Sequence, residues 1–170
     1  MLIAASTVTL AACGAGDTAT TTAGDSSTVS GADPVLPLGF ERGLARVTKS
    51  DGTTCEICVW RAVSGDQRST GLMGVTNLGP AVGMTFEYGA LRDGWFWMKN
   101  TVLPLSIAFF DGDGVLVDAF DMEPCTGDPC EQYHPAASYR LAIEMPQGEL
   151  ATHGITDGSR LDLLDLPCDE

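Results

Sequence analysis

The chain has 170 residues, 44% of them hydrophobic, and a formal net charge of −14 from nine basic against 23 acidic side chains. That length allows one domain with a true core. So acidic a chain is unsuited to nucleic acid, whose phosphates need Lys and Arg, and is not drawn to anionic lipid head groups.

Residues 1–12 carry no charge and end in Leu10-Ala11-Ala12, followed by Cys13. A short apolar run closed by two small residues and a cysteine has the form of a bacterial lipoprotein signal, cut before a cysteine that receives lipid. The run is too short to span a bilayer as a helix, which needs about 20 residues. Gly14 and Gly16 oppose its continuation as a core helix. Nothing positive precedes Leu2, although a secretory signal normally opens on Lys or Arg. The expectation is a signal peptide over 1–12, lipidation at Cys13, and an extracytoplasmic protein attached to the bacterial cell membrane through lipid alone. Residues 13–40, rich in Thr, Ala, Gly, Ser and then Pro, read as a flexible tether. Residues 41–170 remain as the globular domain.

Beyond the tether the pattern is mainly β. Strands are expected over 43–49 and 54–63, on either side of the hairpin signal Asp51-Gly52. Ser64 and Gln67 have capping-box spacing and predict a short helix to about Leu72, stopped by Gly74. Further strands are read at 84–88, 95–99 and 105–110, the last an apolar run suited to the centre of a sheet. Asp111-Gly-Asp-Gly114 turns the chain into a strand over 115–122. A calcium loop there would need more oxygens and a distal Glu, which Val115 to Val117 do not supply. In 138–145, Tyr139, Leu141, Ile143 and Met145 share one face. One or two helical turns over 146–153 and a last strand over 160–164 complete the chain. About eight short strands predict a single-domain β-sandwich or partly closed barrel with one or two short helices. No strand–helix–strand alternation is read, so no parallel pairing is expected.

Several segments carry a resemblance. They are Arg68-Ser-Thr-Gly-Leu-Met-Gly74, Gly83-Met-Thr-Phe86, Phe96-Trp-Met-Lys-Asn-Thr101 with Pro104-Leu105, Met122-Glu-Pro-Cys125, and Ala142-Ile-Glu-Met145 with Gly148. In this order they resemble the family called domain of unknown function 192, over about residues 44–164. The resemblance implies a compact, β-rich, often exported domain and no established activity. The family usually carries an acidic residue after the Pro-Leu pair, where this chain has Ser106.

Five cysteines follow Cys13. Cys125 and Cys130 bracket a short Pro- and Gly-containing loop shaped for a local disulfide. Cys168 is expected to tie the C-terminus to Cys55 or Cys58, leaving one thiol free on the strand. Cys55-x-x-Cys58 has thioredoxin-type spacing, but that chemistry needs a helix N-terminus, and here the motif opens a strand. A zinc trio of Cys125, Cys130 and His134 lacks a second ligand pair. Met73, Met84, Met98, Met122 and Met145 fall within the family-like segments and read as core filling rather than a soft-metal site.

Trp95 and Trp97 lie two apart on a strand and point the same way, beside Lys99. Two indoles next to a cation make a platform for a sugar ring, with Lys99 or Asn100 supplying hydrogen bonds; the packing alternative buries Trp97, has Trp95 cover an edge and uses Asn100 and Thr101 to cap the loop backbone. Arg68 is expected to ion-pair with Glu144 or to bind an anionic ligand. The candidate ligand-binding residues are therefore Arg68, Trp97, Lys99 and Asn100. No nucleophile elbow, zinc-protease helix or phosphate loop is present. His134 and His153 fall in loops, and Asp121, Glu123 and Glu144 are the carboxylates that could pair for glycoside chemistry. No catalytic residue, metal or cofactor is assigned. The leading expectation is a non-enzymatic envelope lipoprotein binding a small molecule, saccharide or envelope protein. A hydrolase acting on envelope material and an extracytoplasmic metal-handling protein are the alternatives.

Overall fold

The computed structural model describes residues 33–168. The signal peptide, Cys13 and most of the tether lie outside the described residues. In chain order the elements are β1 (Glu41–Thr48), β2 (Thr54–Ala62), α1 (Gly65–Thr70), β3 (Gly83–Arg92), β4 (Phe96–Trp97), β5 (Leu105–Phe110), β6 (Leu116–Met122), β7 (Gln132–Tyr133), β8 (Tyr139–Pro146), α2 (Glu149–Thr152) and β9 (Arg160–Leu163). Seven strands form one open sheet in the order β6-β5-β8-β3-β2-β1-β9, and β4 pairs with β7 in a second, small sheet. The domain is mainly β with two short helices, which fits a single β-sandwich or partly open barrel.

Local chemistry accounts for the main turns. Asp51 accepts from the backbone N–H and hydroxyl of Thr53 at 2.8 and 2.6 Å, closing the β1–β2 hairpin. Ser64 accepts from the Gln67 N–H, and the Gln67 side chain accepts from the Ser64 N–H, so the predicted capping box starts α1. The Asp111 carboxylate accepts from the N–H groups of Asp113 and Val115, a turn and not a cation loop.

One expectation is overturned. β2 and β3 pair in parallel, Val59 opposite Gly83 through Ala62 opposite Phe86. A parallel pair needs a crossover of a dozen or more residues, and α1 with the loop after it supplies one. That helix is too short for an apolar period, so the crossover left no pattern to read.

The sheet is covered on both faces. β5 is buried at every position. Leu141, Ile143 and Met145 of β8 join one core with Val47, Ile57, Val59 and Phe110. Ala142 joins the other with Leu72, Met84, Phe86, Phe96, Met98 and Phe109. Tyr139 also packs in this second core and not with Leu141. The register between β3 and β8 shifts between Glu87 and Arg92, next to Tyr139, and a shift of that kind breaks simple alternation. Gly83 is fixed by the same close pairing: a Cβ there would lie 2.3 Å from the Glu144 carbonyl oxygen.

The end of the stretch read as tether is fastened to the domain. Val35 donates to the Thr76 hydroxyl and accepts from the Thr76 N–H, Pro37 is buried, and Phe40 packs against the core. Cys58 is bonded to Cys168, which decides between the two partners expected for Cys168, and Cys125 is bonded to Cys130. Cys55 is disulfide-bonded as well. The free thiol expected on β2 is therefore absent among the described residues. Disulfides fit an oxidising, extracytoplasmic environment. No helix among the described residues is long and apolar enough to cross a membrane.

Candidate functional site

The segments that carry the family resemblance meet on one side of the sheet. Gly71 ends α1 at a φ of +47°, and its flank lies against Phe86, whose ring a Cβ would approach to 3.2 Å. Three residues on, the Gly74 N–H donates to the Asn100 carbonyl at 2.9 Å. Asn100 has a φ of 56° and donates its own N–H to the Cys125 carbonyl at 2.8 Å. Asn tolerates that left-handed backbone better than most residues. The Gly-Leu-Met-Gly, Trp-Met-Lys-Asn-Thr and Glu-Pro-Cys segments are thus joined backbone to backbone.

This junction leaves a cleft of about 380 Å³ between α1, β3 and β4, lined by Arg68, Ser69, Tyr88, Arg92, Trp95 and Trp97. Beside it, sharing Arg68, Ser69, Phe96 and Trp97, is a narrow pocket of about 30 Å³ lined also by Phe86, Thr101 and Glu144. The Trp95 and Trp97 rings sit 5.4 Å apart at 77°, and the residues are 41% and 39% exposed. The expected indole pair is therefore an open wall and not core filling.

Glu144 is 4% exposed. It lies in β8 between Met84 of β3 and Ile107 of β5, and its carboxyl makes no hydrogen bond or ion pair with the described residues. Burial alone pushes its pKa up to about 8. The acid is neutral over most of the physiological range and can both donate and accept a hydrogen bond.

Arg68 does not form the expected ion pair with Glu144. Its Nη1 donates to the carbonyls of Val63 and Glu87, and its guanidinium lies 4.9 Å from the centre of the Tyr88 ring. Arg92 lies 4.4 Å from the same ring. Neither arginine has a carboxylate within ion-pair distance among the described residues. Arg61, by contrast, holds Glu87 through two bonds of 2.6 and 2.8 Å. Burial raises the Tyr88 pKa, and that of Tyr139 further, so both phenols stay protonated.

Two of the four candidate residues line the cleft and two do not. Arg68 and Trp97 are in its wall. Lys99 turns away to Asp128 at 3.1 Å, while its ammonium lies 5.3 Å from the Trp97 ring centre. Asn100 serves the turn. Asp121 and Glu123 do not line the cleft: Asp121 accepts from the Ser106 hydroxyl and Glu123 from the Gln147 amide. Ser106, where the family usually has an acid, also accepts from the Gly148 N–H at 2.9 Å, so here the position braces β5 against the β8–α2 turn. The Cys125–Cys130 bond takes two members of the zinc trio. No group of three metal-ligating side chains occurs among the described residues.

Sequence reasoning missed Tyr88 and Arg92: Tyr88 follows Phe86 at strand spacing on the same face, and Arg92 lies past the β3 register shift. Glu144 was legible as the one acid within the run Leu141 to Met145. Its even spacing sets it on the opposite face from Ile143.

Residues 46–163 match the family DUF192, described as an uncharacterized ACR. The chain belongs to this family. The DUF192 match thus runs from within β1 to the end of β9. Among solved structures, the DUF192 domain is similar to a Sinorhizobium meliloti 1021 protein provisionally described as a transcription regulator. The two are 28% identical, with a TM-score of 0.66, over 74% of this chain and 96% of that one. It is also similar to a Novosphingobium aromaticivorans DSM 12444 protein of unknown function, at 25% identity and a TM-score of 0.65, over 82% of this chain and 99% of that one. No curated protein matches the chain.

Proposed function

We propose that this DUF192 protein is a non-enzymatic, extracytoplasmic envelope protein that binds a small ligand in the cleft between α1 and β4. The observation that carries the reading is Glu144: a buried carboxyl with no protein partner, in the narrow pocket beside an aromatic-walled cleft. Burying a polar group without a partner costs stability. A ligand that supplies the missing hydrogen bond recovers part of that cost. A single carboxyl in that pocket, with no second acid in the cleft, supports binding over two-carboxylate hydrolysis. The net charge of −14 argues against carrying over a DNA-linked role from the Sinorhizobium protein.

Thermal shift of the protein against saccharides, envelope fragments and metal ions tests this reading. A ligand in about 100-fold excess over its Kd adds ~2.7 kcal/mol of stability. Stabilisation by an organic ligand, lost in Trp97→Ala, is the expected result. A response to metal ions alone would favour metal handling, and a shift unaffected by Trp97→Ala would overturn the cleft.

A further inference from the structure

The cationic side chains of the cleft narrow the ligand class. The chain has only nine basic residues against 23 acidic ones, yet two of the nine, Arg68 and Arg92, lie against one Tyr88 ring. Neither is neutralised by a described carboxylate, as Arg46, Arg61 and Lys99 are; Lys49, Arg140 and Arg160 share that lack, but only Arg68 and Arg92 lie on one ring in the same cleft. Guanidiniums 4.9 and 4.4 Å from one ring centre give the cleft a cationic edge, and an anion that accepts their free N–H groups offsets that charge. The same pair opposes a cationic ligand.

The tryptophans give the rest of the shape. At 77° to each other, Trp95 and Trp97 form an edge-to-face pair and not a parallel slot that would clamp a flat base from both sides. A sugar ring needs only one open indole face. Glu144 in the adjoining pocket can meet a hydroxyl group as donor or acceptor. The cleft, at about 380 Å³, is at the small end of ligand sites and suits a short ligand.

We propose that the ligand is a saccharide bearing an acidic group, its anion bound by the Arg68 and Arg92 edge of the cleft and its ring laid on Trp97. This rests on the cleft being a ligand site. The probes that test it are a glucuronic acid-containing disaccharide, its neutral glucose counterpart and a nucleoside monophosphate, titrated against the full chain by calorimetry. The acidic sugar is expected to bind at least about tenfold tighter than the neutral one, a difference of ~1.4 kcal/mol. Its affinity should fall with added salt, because the contact is ionic. Arg92→Gln is expected to bring the affinity for the acidic sugar down to that for the neutral one. Arg92 is exposed and makes no ion pair, so this variant keeps the fold, and a thermal melt checks that it does. Equal affinity for both sugars, tighter binding of the nucleotide, or no binding of any probe would overturn the acidic saccharide. Failure of the cleft itself reads differently: a bound ligand of any class would be indifferent to Trp97→Ala.

Discussion

One face of the sheet is covered chiefly by aliphatic side chains, among them Val47, Ile57, Val59, Ile143 and Leu161. The other carries Met84, Phe86, Phe96, Met98, Phe109 and Tyr139. On that face Phe96 meets Phe86 at 5.1 Å and Phe109 at 5.5 Å, and Phe109 meets Tyr139 at 4.9 Å. The aliphatic face has only to exclude water. The aromatic face also ends in a cleft, and it holds Glu144, a group that packing alone would not select. The difference teaches where to look: the face that departs from plain packing, at a cost in stability, is the face with a site on it.

The comparison breaks most visibly by truncation on the aliphatic side. Ile143→Ala is expected to cost about 2–5 kcal/mol in urea unfolding, by the same amount at acid and alkaline pH, with affinity per folded molecule unchanged. A change in ligand affinity larger than the change in stability would mean that the two faces are coupled.

Next in size is Glu144. Its folded pKa is about 8 and its ordinary value 4.5, so between these the folded state holds a proton that the unfolded state has released. Stability contributed by this group is therefore full below about pH 4.5 and is lost as pH rises through about 8, at of order 1 kcal/mol per pH unit. Glu144→Gln removes that slope and should leave the protein more stable than the parent on the alkaline side. Denaturation of both forms across the pH range checks this, and parallel curves would contradict it.

Smaller effects separate the wall of the cleft from its surroundings. Trp97→Ala, at a residue 39% exposed, should change stability by about 1 kcal/mol or less and abolish ligand binding. Lys99→Ala should cost about 0–1 kcal/mol, because its partner Asp128 is well exposed, and should leave binding intact. Equal loss of binding in both variants would return Lys99 to the site.

Local signals were legible in the sequence on both sides of the sheet. The Asp51-Gly52 hairpin, the Ser64–Gln67 capping box and the alternation of Leu141, Ile143 and Met145 are local signals, and each corresponds to a local structure. The aromatic half was legible only in pieces. Trp95 and Trp97 follow from strand alternation, and Tyr88 from its spacing to Phe86, but Arg92 arrives from β3 past a register shift, which no spacing announces. The parallel β2–β3 pair was hidden for a related reason, since its crossover contains a helix of six residues. Asn100 read as a ligand donor because its side chain is polar. Its left-handed backbone and its two main-chain bonds, to Gly74 and Cys125, show that the position serves the turn.

The most direct measurement is the titration of the Glu144 carboxyl carbon by NMR, followed from acid to alkaline pH in the ligand-free protein. A midpoint near 8 is predicted, as a desolvated and unpartnered acid requires. A midpoint near the ordinary 4.5 would mean that water or a protein group already serves this carboxyl, and would contradict a site built around it.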